Sequence, residues 1–149
     1  MKNILLIEDN RTKANDIKKF LEEYSPFNII IKESLTSGLR ELFSKEYDLL
    51  LLDMSLPTRE GALNNTINNF EQLGGHRILS EMKRKNKQIP TALITMFSEF
   101  GIGESFLNIE DLDEKLNKNF PSFYKGYIFY SSQEDNWKNN LKLIIDDCL

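Results

Sequence analysis

Tyr47-Asp48-Leu49-Leu50-Leu51-Leu52-Asp53-Met54-Ser55-Leu56-Pro57 is the stretch on which the fold turns. Four successive leucines suit a strand covered by helices on both faces, where no polar residue needs to alternate with the apolar ones. The run ends on Asp53. A carboxylate there is the polar end of a buried strand, an Asx turn with Ser55, or a functional group held at a strand tip.

Similar short runs lie on either side. Ile4–Ile7, Asn28–Ile31, Thr91–Ile94 and Tyr127–Tyr130 are the other predicted strands. Between them the apolar spacing turns helical. Arg11–Tyr24 carries Ala14, Ile17, Leu21 and Tyr24 on one stripe. Ser37–Lys45 carries Leu39, Leu42 and Phe43, and Gly75–Lys85 carries Ile78, Leu79 and Met82. Ile109–Phe120 follows Asn108 as an N-cap and precedes Pro121. The last helix, Glu134–Cys148, carries Trp137, Leu141, Ile144, Ile145 and Cys148, with Ser132 as its cap. Strands and helices in strict alternation predict an α/β fold with a doubly wound parallel sheet of five strands. Two connections are long, 56–74 and 97–107, and loops of that size in a compact domain are usually functional.

Ligand sites of such sheets lie at the carboxyl ends of the strands. Glu8 and Asp9 follow the first strand, Asp53 the third, and Thr95 the fourth. Neighbouring parallel strands are about 4.8 Å apart, so these acids can converge. Clustered carboxylates repel one another, and without a cation one of them would hold its proton. A hard divalent ion relieves that repulsion. Mg²⁺ suits one or two carboxylates completed by waters and a phosphate. Such a site positions and neutralises a phosphoryl group, with Asp53 as the nucleophile that forms an acyl phosphate and the Thr95 hydroxyl bonded to phosphoryl oxygens.

The chain has 149 residues, with 40% hydrophobic and 28% charged residues, ordinary for one soluble globular domain spanning 1–149. A formal net charge of −4 argues against a nucleic-acid surface. Cys148 is the sole cysteine, which excludes an intrachain disulfide and fits a reducing, cytoplasmic setting. The N-terminal run lacks the length and small-residue site of a signal peptide. No apolar run reaches a membrane span. With no basic tail or second domain after the core, the expected output is contact with another protein.

These residues carry a resemblance. Ile4-Leu5-Leu6-Ile7-Glu8-Asp9-Asn10 resembles the opening of response-regulator receiver domains of two-component systems. The stretch 47–57 resembles their phosphoacceptor strand, including the proline four residues after the aspartate. Ala92-Leu93-Ile94-Thr95 resembles their fourth strand. The resemblance implies the flavodoxin-like receiver fold, strand order 2-1-3-4-5, with enlarged loops after strands 3 and 4. It implies Asp53 as phosphoacceptor, Glu8, Asp9, Asp53 and the Ser55 backbone carbonyl around Mg²⁺, and Thr95 as the switch hydroxyl. It also implies a phosphoprotein that takes its phosphoryl group from a histidine kinase or phosphotransfer protein and regulates a downstream protein. Its catalysis would extend only to its own phosphorylation and dephosphorylation. It points to neither nucleic acid nor membrane, and leaves a homodimer open.

Three positions depart from the pattern. Tyr130 stands where receivers usually carry a lysine at the end of the fifth strand, with Ser131 in place of the following proline, and Tyr127 matches the switch aromatic. On this reading the site loses a cation, Tyr130 offers only a hydrogen bond, and Lys125 lies at the wrong end of the strand. Met96, beside Thr95, would narrow the phosphodonor's approach. These departures motivate the alternative of a receiver-like interaction module that is not phosphorylated. A haloacid-dehalogenase-like phosphohydrolase would need an acid two residues after Asp53, where Ser55 stands. A flavodoxin-like flavin site would place its phosphate against Glu8 and Asp9.

Overall fold

Each apolar run of the sequence forms a strand, and the five join one parallel sheet. In the computed structural model the described residues are 1–57, 70–71, 74–97, 99–100 and 107–149, with 70–71 and 99–100 described for the backbone alone. The elements in chain order are β1 (Asn3–Ile7), α1 (Arg11–Tyr24), β2 (Asn28–Lys32), α2 (Leu35–Ser44), β3 (Leu49–Leu52), β4 (Leu56–Pro57) and β5 (Phe70–Glu71). They continue with α3 (Gly74–Arg84), β6 (Thr91–Thr95), β7 (Glu99–Phe100), β8 (Leu107–Asn108), α4 (Ile109–Asn119), β9 (Tyr124–Phe129) and α5 (Asn136–Cys148). The main sheet runs β2-β1-β3-β6-β9, all parallel. Counting the sheet strands alone, this is the expected order 2-1-3-4-5.

Period-two alternation divides the core. Ile4, Leu6, Leu49, Leu51, Ala92 and Ile94 face α1 and α5. Leu5, Ile7, Leu50, Leu52 and Leu93 face α2, α3 and α4. Both faces are covered, so β1, β3 and β6 are buried nearly throughout and tolerate no polar alternation. In β9 one extra residue enters between the partners of Thr91 and Leu93. Gly126 lies in that bulge at φ +121°, a backbone state that suits glycine.

Local chemistry sets the helix starts. Asn10 caps α1, its side chain accepting the Lys13 N–H at 3.0 Å. Ser34 and Ser37 form a reciprocal capping box, which starts α2 two residues before the expected Ser37. Asn108 caps α4 as expected, accepting the Asp111 N–H at 2.8 Å. The last helix begins at Asn136, not Glu134, and Ser132 does not cap it. The Ser131 hydroxyl takes the Gln133 N–H at 3.2 Å and holds that segment in a bend.

Each long connection is closed at its base by a two-stranded antiparallel ribbon, β4 with β5 and β7 with β8. Thr58-Arg59-Glu60-Gly61, the asparagine-rich stretch 64–69, and Gly101, Gly103 and Phe106 lie outside the described residues, so the expected roles of these loops do too. No helix among the described residues is long and apolar enough to cross a membrane.

The first turn of α3 rests directly on the backbone after β3. The Gly75 N–H donates to the Met54 carbonyl at 2.9 Å. A Cβ on Gly75 would lie 2.8 Å from the Asp53 carbonyl oxygen and 3.0 Å from the Met54 Cα. Those neighbours are main chain and cannot swing aside. Gly75→Ala is therefore expected to destabilise the fold by about 1–3 kcal/mol, against a helix-propensity gain of up to about 1 kcal/mol. Thermal unfolding checks this, and a raised melting temperature would contradict the backbone contact.

Candidate functional site

Glu8 and Asp53 follow the paired residues Ile7 and Leu52 of adjacent strands β1 and β3. The Asp53 N–H donates to the Ile7 carbonyl at 3.1 Å, continuing the ladder past the strand ends. Each of Glu8, Asp9 and Asp53 offers a carboxylate oxygen within 4.8 Å of the others. The expected acids thus come together. Glu8 is 1% exposed and Asp53 2%, while Asp9 is half-buried. The Asp53 Oδ1 accepts the Met54 N–H at 2.7 Å. The Glu8 Oε2 accepts the Asn10 N–H at 3.1 Å.

A lysine that sequence reasoning missed enters this cluster from α1. Lys13 is 1% exposed. Its Nζ lies 2.5 Å from Glu8 Oε1 and 3.4 Å from Asp53 Oδ2, and donates to the Ile94 carbonyl at 2.8 Å. Glu8 Oε1 has no hydrogen bond of ordinary geometry among the described residues, so its contact with the ammonium is an ion pair rather than an aligned bond. The expectation that the site lacks an ammonium is corrected: the charge comes from a helix, not from the fifth sheet strand. A signal for it exists in the sequence. Lys13 stands four residues before Ile17, on the buried side of α1.

Tyr130, at the usual lysine position, is committed elsewhere. It follows β9, with its N–H bonded to the Thr95 carbonyl at 2.7 Å. Its hydroxyl donates to Asp16 Oδ2 on α1 at 2.5 Å, not to the acidic cluster. Its ring centroid lies 5.9 Å from Lys13 Nζ and 5.3 Å from the Trp137 ring. Thr95 is fully buried, and its hydroxyl accepts the Phe97 N–H at 3.1 Å. Ser55 is half-buried just after Asp53, and Tyr127 is half-buried against the core formed with α2, α3 and α4. Lys125 is exposed at the opposite end of β9, as expected. Met96 walls a cleft with Asn10, Thr12, Phe129 and Tyr130 that opens beside Lys13.

The electrostatics are those of an under-neutralised pocket. Burial, with Asp53 adding to it and Lys13 opposing, pushes the Glu8 carboxyl up to about 8. Burial and then Asp53 also raise Asp9. Three ionised carboxylates against one ammonium would leave two negative charges, which a divalent cation matches. The donor set is all oxygen, as Mg²⁺ prefers.

No family model matches the chain. The parallel sheet with acids at its strand ends is the architecture of response-regulator receiver domains. A CheY-like receiver domain from Methanospirillum hungatei superposes with a TM-score of 0.66 at 18% identity, over 99% of this chain and 94% of that one. The phosphorylated cyanobacterial phytochrome response regulator RcpA gives 0.65 at 20% identity, over 99% and 93%. TrrA from Thermotoga maritima, in complex with Mg²⁺ and BeF, gives 0.61 at 22% identity, over 97% and 99%. By sequence, the chain is 28% identical over 142 residues to the Detocs response regulatory protein DtcB of Enterobacter cloacae, covering 93% of this chain and 94% of that protein. It is also 23% identical over 140 residues to protein y4jR of Sinorhizobium fredii, covering 93% of each.

The Tyr130–Asp16 bond yields a pH prediction. Burial, together with that bond, pushes the Tyr130 hydroxyl up to about 12, from about 10 in an unfolded chain. The folded state holds the proton more tightly, so this contribution is complete below about pH 10 and lost as pH rises through 12. Tyr130→Phe is expected to cost about 1 kcal/mol near neutrality. The gap between the two proteins in urea unfolding should close over that alkaline window. An equal gap at both pH values would argue against the bond.

Proposed function

We propose that this chain is a single receiver domain of a two-component-type system that accepts a phosphoryl group on Asp53. The observation that carries the reading is the convergence of Glu8, Asp9 and Asp53 at the strand ends, with Asp53 buried at the head of the sheet. Glu8, Asp9 and Asp53 would hold Mg²⁺, with the Ser55 carbonyl as a further ligand. Bound there, Mg²⁺ would supply positive charge to the phosphoryl oxygens. Asp53 attacks phosphorus through a carboxylate oxygen, the bond to the donor's leaving atom breaks, and the leaving group takes the electron pair. The Thr95 hydroxyl accepts the Phe97 N–H and would donate its own proton to a phosphoryl oxygen. Donors of the reading are a histidine kinase or phosphotransfer protein, and the output is altered affinity for a downstream protein in the cytoplasm. The rival reading, an interaction module that is not phosphorylated, rests on Met96 and on a missing ammonium. Lys13 weakens the second of these grounds.

Incubation with acetyl phosphate and Mg²⁺ is expected to add one phosphoryl group, detected by intact mass, and Asp53→Asn to abolish it. An unmodified wild-type chain, or an Asp53→Asn chain modified equally, would refute the assignment.

The metal has its own signature. Glu8 is raised, so in metal-free protein its stabilising contribution is complete below its ordinary value of 4.5 and lost as pH climbs through about 8. Ligand carboxylates must also be ionised to bind metal. Added Mg²⁺ should therefore raise the melting temperature more near pH 8 than near pH 5. Melting curves unmoved by Mg²⁺ at either pH would count against the metal site.

A further inference from the structure

Lys13 is a buried ammonium that donates to the Ile94 carbonyl oxygen and forms ion pairs with Glu8 Oε1 and Asp53 Oδ2. It stands on α1, while the end of β9 carries Tyr130, whose hydroxyl is bonded to Asp16 on the same helix. Within bonding distance of the acceptor carboxylate there is thus a proton-rich cation that a phosphoryl oxygen can recruit. From these contacts we infer that Lys13 is a catalytic residue of Asp53 phosphorylation, neutralising the transferring phosphoryl group from α1. The inference rests on the proposed phosphoacceptor role of Asp53.

The step balances simply. The donor is an acyl phosphate or a phosphoramidate. A phosphorus–oxygen bond forms to Asp53 as the donor's phosphorus–oxygen or phosphorus–nitrogen bond breaks, and the leaving group departs with the pair and is protonated by water where required. Lys13 keeps all its protons. The new oxygens carry more negative charge than the Asp53 carboxylate did, so the ammonium shifts toward them and away from Glu8 and the Ile94 carbonyl. A cleft walled by Asn10, Thr12, Met96 and Phe129 borders Lys13. The Tyr130 ring centroid lies 5.9 Å from Nζ, so residue 130 stands beside the ammonium.

The test compares wild type, Lys13→Met and the double variant Lys13→Met with Tyr130→Lys, using acetyl phosphate and Mg²⁺ and following phosphorylation by mass. Methionine keeps the apolar stem and removes the charge. Lys13→Met is expected to slow phosphorylation about a hundredfold, the usual effect of removing one preorganised charge-stabilising donor. Returning an ammonium at residue 130 should recover at least part of the rate, which a merely structural role for Lys13 would not allow. Mg²⁺ affinity, measured near pH 8 by calorimetry, gives a readout independent of phosphoryl transfer. Removing a cation that competes for Glu8 and Asp53 should tighten Mg²⁺ binding in Lys13→Met, and a misfolded variant would instead lose it. Wild type and Lys13→Met phosphorylated at equal rates would overturn the inference and leave the Asp53 reading standing. A wild-type chain that is not phosphorylated would overturn both.

Discussion

The contact on which the site depends is the buried ion pair of Lys13 with Glu8 and Asp53. Two carboxylates nearly sealed from water are costly to ionise, and so is a sealed ammonium. Each makes the other tolerable. Removing one member of such a cluster strands the rest, a loss of about 3–5 kcal/mol in comparable buried pairs. Replacing the whole set by apolar residues would often stabilise a fold, so the pair is better explained by chemistry than by stability. Burial raises the Glu8 carboxyl even with Lys13 present, and Asp53 adds to that rise.

Helix geometry brings the lysine to this place. Asn10 caps α1 immediately after the acids, which puts Lys13 at the third helical position. Helical side chains slant toward the N-terminus, so Lys13 leans back over the strand ends. A cation in a first turn opposes the helix dipole. Here Glu8 and Asp53 outweigh that penalty, since the ammonium lies directly against them. The same parallel register that carries Ile7 and Leu52 to one level sets Glu8 beside Asp53.

The sheet was legible because its strands are apolar on consecutive residues and are separated by helical spacing, so Leu49–Leu52 and Arg11–Tyr24 appear with the expected bounds. The acids were legible because the strand-end rule needs only sequence position and topology. Lys13 was legible only through its spacing from Ile17, because its ammonium bonds to Ile94, 81 residues away in the chain, and a lysine near a helix start ordinarily lies in water. The start of α5 was misplaced for a local reason, the Ser131 bend, which competes with Ser132 capping. Tyr130 was assigned a role from its place in the strand. Its hydroxyl direction is set by Asp16, 114 residues earlier, and no local pattern reports that.

Moving the ammonium from strand to helix changes what the site touches. In the usual receiver arrangement the cation belongs to the last strand of the sheet. Here it belongs to α1, and α1 is tied to the end of β9 through Asp16 and Tyr130 and to α5 through Tyr24 and Asp146. Phe20 and Trp137 meet edge to face at 5.7 Å in the same layer, and Tyr130 packs on Trp137. On the role proposed for Lys13, a shift of the ammonium at Asp53 would act first on the layer of α1 and α5, the face opposite α2, α3 and α4. Tyr130 has a structural part of its own, since its hydroxyl anchors α1 through Asp16. Lys13 at the acids and the Tyr130–Asp16 bond fix the same helix at two points, one over the ends of β1 and β3 and one at the end of β9.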